Sequence, residues 1–104
     1  MQTLTYDFPA GQAAPNAVHV GVVASGDLEI LLEPPPSGAT DSSASVRVRT
    51  SVDGFDTVWR DVLERFFTHT SLAGRWELND FGATPGVVTL RLRQAAEAAL
   101  GGQP

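Results

Sequence analysis

The chain has 104 residues, no cysteine, and twelve acidic against seven basic side chains, giving a net charge of −5. That length suits one small domain and leaves little room for a deep catalytic cleft beside a core, while the missing cysteine excludes disulfides, a thiol nucleophile and zinc–thiolate sites. Dispersed arginines on an acidic chain argue against nucleic acid as a partner, and the absence of a basic, apolar leader or of ~20 continuous apolar residues gives the expectation of a cytoplasmic protein with no membrane contact.

Residues 1–8 alternate Leu4, Tyr6 and Phe8 against Thr3, Thr5 and Asp7, the period of two of a half-buried strand that suits a sheet edge. Residues 9–16, with two prolines, a glycine and three alanines, read as a loop. Two apolar runs follow, Val18 to Val23 and Leu28 to Leu32, separated by Ser25-Gly26-Asp27. This is a hairpin pattern whose tripeptide is a turn: Gly26 supplies a positive φ, and Ser25 or Asp27 hydrogen-bonds local backbone. By alternation His19 takes the face opposite Val18 and Val20. With no second ligand at a suitable spacing, it is expected to be a solvated or hydrogen-bonded strand histidine and not a metal ligand.

Pro34-Pro35-Pro36 ends the second run, because proline cannot continue a ladder, and residues 34–44 form a Pro/Ser-rich loop. Residues 45–52 alternate again, with Val46 and Val48 on one side and Arg47 and Arg49 on the other. The arginines either face solvent or meet a phosphate-bearing group. Residues 53–57 make a turn, with Asp56 or Thr57 as the predicted N-cap of a helix. From Val58 onward, Val58, Trp59, Val62, Leu63, Phe66 and Phe67 recur at helical spacing as a stripe to be packed on a sheet. Asp61 and Arg65 are spaced for an i,i+4 pair.

Residues 69–74 close that helix, and 75–78, around Trp76, are predicted as a short strand. Asp80-Phe81-Gly82 reads as a turn. Thr84-Pro85 then opens a predicted helix over residues 85–100, since Val88, Leu92, Ala95 and Ala99 share a helical face, although VVTLRLR also alternates like a strand. Gly101-Gly102 ends it, and residues 101–104 are expected to fray. Glu77, Asp80 and Asp53 invite an acid–base reading, but spacing alone gives them only turn and surface duty.

The sum is an α+β fold for a single domain over residues 1–104, with a mainly antiparallel sheet of four to five strands and two helices packed on one face.

The segments TLTYDFPAG, VGVVASGDLEILLEP, RTSVDGFDTVWRDVLERFF and ELNDFGATPGVVTLRLRQAAE, in this order, resemble the acyl carrier (delta) subunit family of malonate decarboxylase. The resemblance covers most of the chain. It implies a non-catalytic carrier, distinct from the all-helical acyl carrier bundle, in which Ser25 bears a phosphodiester-linked 2'-(5''-phosphoribosyl)-3'-dephospho-CoA. Gly26 and Asp27 complete the matching element; Asp27 serves either recognition or the turn. The thiol of the arm would hold acetyl or malonyl during malonate decarboxylation to acetate and CO2. The implied partners are the decarboxylase catalytic subunits, an acyltransferase subunit and a prosthetic-group transferase.

Citrate lyase carrier (gamma) subunits share Ser-Gly-Asp more distantly, and the run from Asn79 to Gly86 favours the malonate system. A non-covalent α+β binding module fits the residue pattern equally well. A serine hydrolase built on Ser25, Asp27 and a histidine fits poorly, because Ala24 stands where a Gly-x-Ser-x-Gly elbow needs its first glycine.

Overall fold

A computed structural model describes residues 2–36 and 43–101. In chain order it contains the strands β1 (Gln2–Pro9), β2 (Gln12–Ala13), β3 (Val18–Val20), β4 (Leu28–Glu33) and β5 (Ser43–Thr50), helix α1 (Asp56–His69), strand β6 (Leu72–Asp80) and helix α2 (Pro85–Ala99). The main sheet runs β1-β5-β6-β4-β3, so β1 and β3 are its edges. Three pairings are antiparallel, and the central β5–β6 pairing is parallel. A parallel pair needs a crossover, and α1 supplies it. The short β2 adds a sixth strand, parallel to the start of β6.

Alternation along the strands decides which side is covered. Leu28, Ile30 and Leu32 of β4, Val46 and Val48 of β5, and Trp76 and Leu78 of β6 are all buried on one face. Against them lie Trp59, Leu63, Phe66 and Phe67 of α1 and Val88, Leu92, Ala95, Ala96 and Ala99 of α2. Trp76 stands edge-on to both Phe66 and Phe67, with ring centroids 5.7 and 5.2 Å away, and its indole N–H donates to the Leu72 carbonyl at 3.2 Å. The other face carries polar rungs: Arg47 pairs with Glu77, Arg75 with Glu33, and His19 with Glu29. Such exposed pairs are screened by solvent and contribute little, so the helical face carries the stability.

The α+β architecture, the β1 edge and the α2 boundaries agree with the sequence reading. Five local expectations do not. The predicted 9–16 loop contains β2, because Gln12 and Ala13 find Leu72 and Ala73 as partners. The cap of α1 is Phe55, with no side-chain hydrogen bond; Trp59 N–H bonds the Phe55 carbonyl at 2.9 Å, which draws the first turn upstream of Asp56 and Thr57. β6 spans nine residues, not four, since its first residues pair with β2 and β5. Val58 of the predicted stripe stays 42% exposed. The first hairpin strand stops at Val20.

The predicted 34–44 loop lies partly outside the described residues, and Ser43 and Ala44 belong to β5. Of the predicted frayed end, only Gly101 is described. Among the described residues, no helix is long and apolar enough to cross a membrane.

Candidate functional site

The early end of β3 creates the site. Val20 is the last residue of β3 paired with β4, opposite Ile30, and the chain then turns away at Gly21. A Cβ at Gly21 would sit 1.9 Å from the Leu28 carbonyl oxygen, so only glycine permits this departure. Residues 21–27 therefore form a loop that leaves Val22 and Val23 57% and 62% exposed. Its tip is a β-turn in which Asp27 N–H donates to the Ala24 carbonyl at 3.0 Å. Gly26 takes the third position with φ +80°, as a type II turn requires, and exposed Ser25 takes the second.

Two tethers fix this turn. Gly26 N–H donates to the Phe81 carbonyl at 2.7 Å, and Phe81 N–H donates to the Asp27 carbonyl at 3.0 Å. The second tether is ionic. Arg91 of α2 donates from Nε to Asp27 Oδ1 at 2.9 Å and from Nη2 to Oδ2 at 2.8 Å, while Oδ1 also accepts from Leu28 N–H at 2.7 Å. This is a fork-on-fork pair, partly shielded from solvent. The Arg91 hydrogen bonds first, and the Leu28 N–H second, hold the Asp27 carboxyl below the usual carboxylate range.

Phe81 is itself held firmly. The buried Asp80 carboxylate accepts from Thr50 Oγ1 at 2.8 Å and from Ala83 N–H at 2.9 Å, fixing the bend that leads into α2. Thr84 then caps α2 by accepting from Val87 N–H at 3.3 Å. The sequence blocks around Ser25 and around Asn79–Gly86 thus meet in space.

On the polar face beside this turn, Val23, Glu29, Arg49, Asn79, Asp80 and Phe81 line a cleft of about 210 Å³. Arg47 is committed to Glu77, whereas Arg49 makes no ion pair among the described residues. The two arginines that the sequence left equivalent are therefore distinct. On the helical side, the segment after Phe81 borders a larger apolar groove between the starts of α1 and α2.

Among the described residues, no acid–base constellation assembles around Ser25. His19 is bonded to Glu29, His69 to the Arg65 carbonyl, Glu77 to Arg47, and Asp80 to Thr50 and Ala83, while Asp53 is exposed. Among the described residues, no cluster of three or more His, Cys, Asp or Glu side chains suits a metal ion. The sequence reading missed Arg91, which lies 64 residues from Asp27. Its only signal was an arginine adjoining the buried stripe of Val88, Leu92 and Ala95, where a guanidinium needs a partner.

The family model of the malonate decarboxylase delta subunit matches residues 15–99. The chain is 50% identical over 98 residues to a malonate decarboxylase acyl carrier protein of Azotobacter vinelandii, covering 93% of this chain and 95% of that one. It is 49% identical over 100 residues to the protein of that name in Pseudomonas aeruginosa, covering 95% and 97%. A chain in the crystal structure of a Pseudomonas malonate decarboxylase hetero-tetramer in complex with malonate superposes with a TM-score of 0.85 at 47% identity, over 95% of this chain and 99% of that one.

Proposed function

This chain belongs to the malonate decarboxylase delta-subunit family, and from that membership we propose that it is the acyl carrier subunit of a malonate decarboxylase, loaded at Ser25. The observation that carries the attachment point is the β-turn itself: an exposed Ser25 whose flanking residues are tied to Phe81 and Arg91. A modifying enzyme needs a hydroxyl it can reach on a backbone that does not yield. This turn supplies both, and Gly26 adds no side chain to obstruct the approach.

The residues present fit a phosphodiester-linked CoA derivative. Ser25 offers the ester oxygen, and Arg49 offers a cation in a cleft that shares Val23 and Phe81 with the turn's surroundings; the two carboxylates in that cleft are engaged elsewhere, Glu29 by His19 and Asn79 and Asp80 by Thr50 and Ala83. When bound, the group supplies a thiol that carries acetyl or malonyl as a thioester. The protein's own residues perform no bond chemistry: Asp27 is spent on Arg91, and neither histidine serves Ser25. Their work is positional. Tethering replaces capture from solution by a local search at an effective concentration of ~mM, and the net charge of −5 suits encounter with partner surfaces of opposite charge.

The test is intact mass after incubation with the malonate-system prosthetic-group transferase and its CoA-derived precursor. A single adduct on wild type and none on Ser25→Ala supports the assignment. No adduct on folded wild type, with the transferase active on an authentic carrier, overturns it.

A further inference from the structure

The groove between the starts of α1 and α2 has a volume of about 390 Å³, within the ~300–1,000 Å³ of small-molecule sites. Its walls include Val52, Phe55, Val58, Trp59, Val62 and Val88. Three of these large apolar side chains remain well exposed at its mouth: Val52 at 39%, Phe55 at 49% and Val58 at 42%. The polar side chains in the lining, Thr50 and Asp80, are bonded to each other and offer a ligand little. The groove is therefore built for an apolar segment.

Its position relative to Ser25 is defined by backbone. Gly82 lies in the groove wall, and a Cβ on Gly82 would stand 3.9 Å from Gly26 N. The preceding carbonyl, that of Phe81, accepts directly from the same Gly26 N–H. The wall of the groove and the turn that presents Ser25 are one hydrogen-bonded unit.

We infer that this groove is the resting site of the arm carried on Ser25, receiving its apolar section and the acetyl thioester between visits to partner subunits; the inference rests on Ser25 being the attachment point. A tether makes a weak site sufficient. At an effective concentration of ~mM, a groove whose affinity for the free segment is only ~mM is half-filled once the arm is attached. The same walls discriminate between cargoes. Acetyl presents a methyl group to Val58, Val62 and Val88, whereas malonyl presents a carboxylate for which the groove has no partner, since among the described residues no cation lines it. The acetyl form is held and the malonyl form is released towards the decarboxylase.

The experiment begins with intact mass, which establishes the adduct independently of the groove. Methyl NMR spectra of the apo, acetylated and malonylated full-length protein are then compared, together with the alkylation rate of the free thiol in wild type and Val58→Glu. Val58 is exposed on α1, so this substitution places a charge at the mouth without removing a core contact. Shifts of the Val58, Val62 and Val88 methyls in the acetyl form that shrink in the malonyl form, with alkylation about twofold slower in wild type than in Val58→Glu, match half-occupancy of the groove. An adduct that leaves these methyls and the alkylation rate unchanged overturns the groove assignment while preserving Ser25 attachment. Absence of an adduct instead removes the attachment itself.

Discussion

Arg91 holds Asp27 through two parallel hydrogen bonds, at 2.9 and 2.8 Å, which tie the loop before β4 to helix α2 across 64 residues of sequence. The pair sits one residue beyond Gly26, so it acts on the turn that presents Ser25. It also carries a pH signature. The folded-state pKa of Asp27 is depressed, so its contribution to stability is complete above the ordinary carboxylate value of ~3.9 and is lost as pH falls through the folded value. Asp27→Asn should therefore have a lower thermal midpoint than wild type at pH 7, and the gap should close in acid. A gap that is constant from pH 7 to pH 2 would show that the charge pair does not anchor the turn.

Arg49 and Arg47 give a matched comparison on one strand. Arg47 is paired with Glu77 on the open face, and Arg49 lines the cleft that also contains Val23. Arg49→Ala should raise the KM of the transferase for this carrier severalfold, whereas Arg47→Ala should leave loading unchanged and shift stability by less than about 1 kcal/mol. Equal loading kinetics for the two variants would remove Arg49 from the phosphate-binding role.

The elements legible in the sequence were those whose pattern is set locally. Alternation revealed β1 and β5, and Thr84-Pro85 with the stripe from Val88 to Ala99 revealed α2. What the sequence concealed depends on distant partners. Gln12 and Ala13 become a strand only because β6 lies alongside, and β6 in turn begins at Leu72 because β2 and β5 pair with its first residues. The candidate site divides in the same way. The turn at Ser25-Gly26-Asp27 and the positive φ of Gly26 were legible from turn chemistry, and Ser25 was singled out within it by the family resemblance alone; the loop is longer than a tight hairpin because Gly21 leaves the ladder close against the Leu28 carbonyl. The segments of the family resemblance around Ser25 and around Phe81 are far apart in sequence, and only the fold shows that Phe81 and Gly26 share a hydrogen bond.

The core offers a prediction independent of function. Trp76 is fully buried against Phe66 and Phe67, and Leu92 is fully buried on the sheet-facing side of α2. Leu92→Ala should cost about 2–5 kcal/mol and Trp76→Ala about 3–5 kcal/mol in chemical denaturation. For a domain of this size either loss is comparable with the whole margin of stability, so Trp76→Ala should be largely unfolded at 37 °C. A near-native denaturation midpoint for Trp76→Ala would contradict the packing described here.

Two glycines flank the exposed loop, and their substitutions should separate space from backbone angle. Both have φ +80°, a conformation that costs an L-residue about 1–2 kcal/mol. A Cβ at Gly26 meets nothing within 4 Å, so Gly26→Ala should lose only that strain and still be loaded at Ser25, more slowly if the transferase needs clearance beside the hydroxyl. A Cβ at Gly21 meets the Leu28 carbonyl oxygen at 1.9 Å, and that oxygen belongs to the first residue of β4, so it cannot yield without displacing the sheet end. Gly21→Ala should accordingly be the more destabilising of the two in denaturant titrations. It should also broaden the amide resonances of Ser25, Gly26 and Asp27, because the turn loses its fixed departure from β3. Equal destabilisation by the two substitutions would mean that the close approach of Gly21 to Leu28 does not set the loop, and that the backbone angle alone accounts for both.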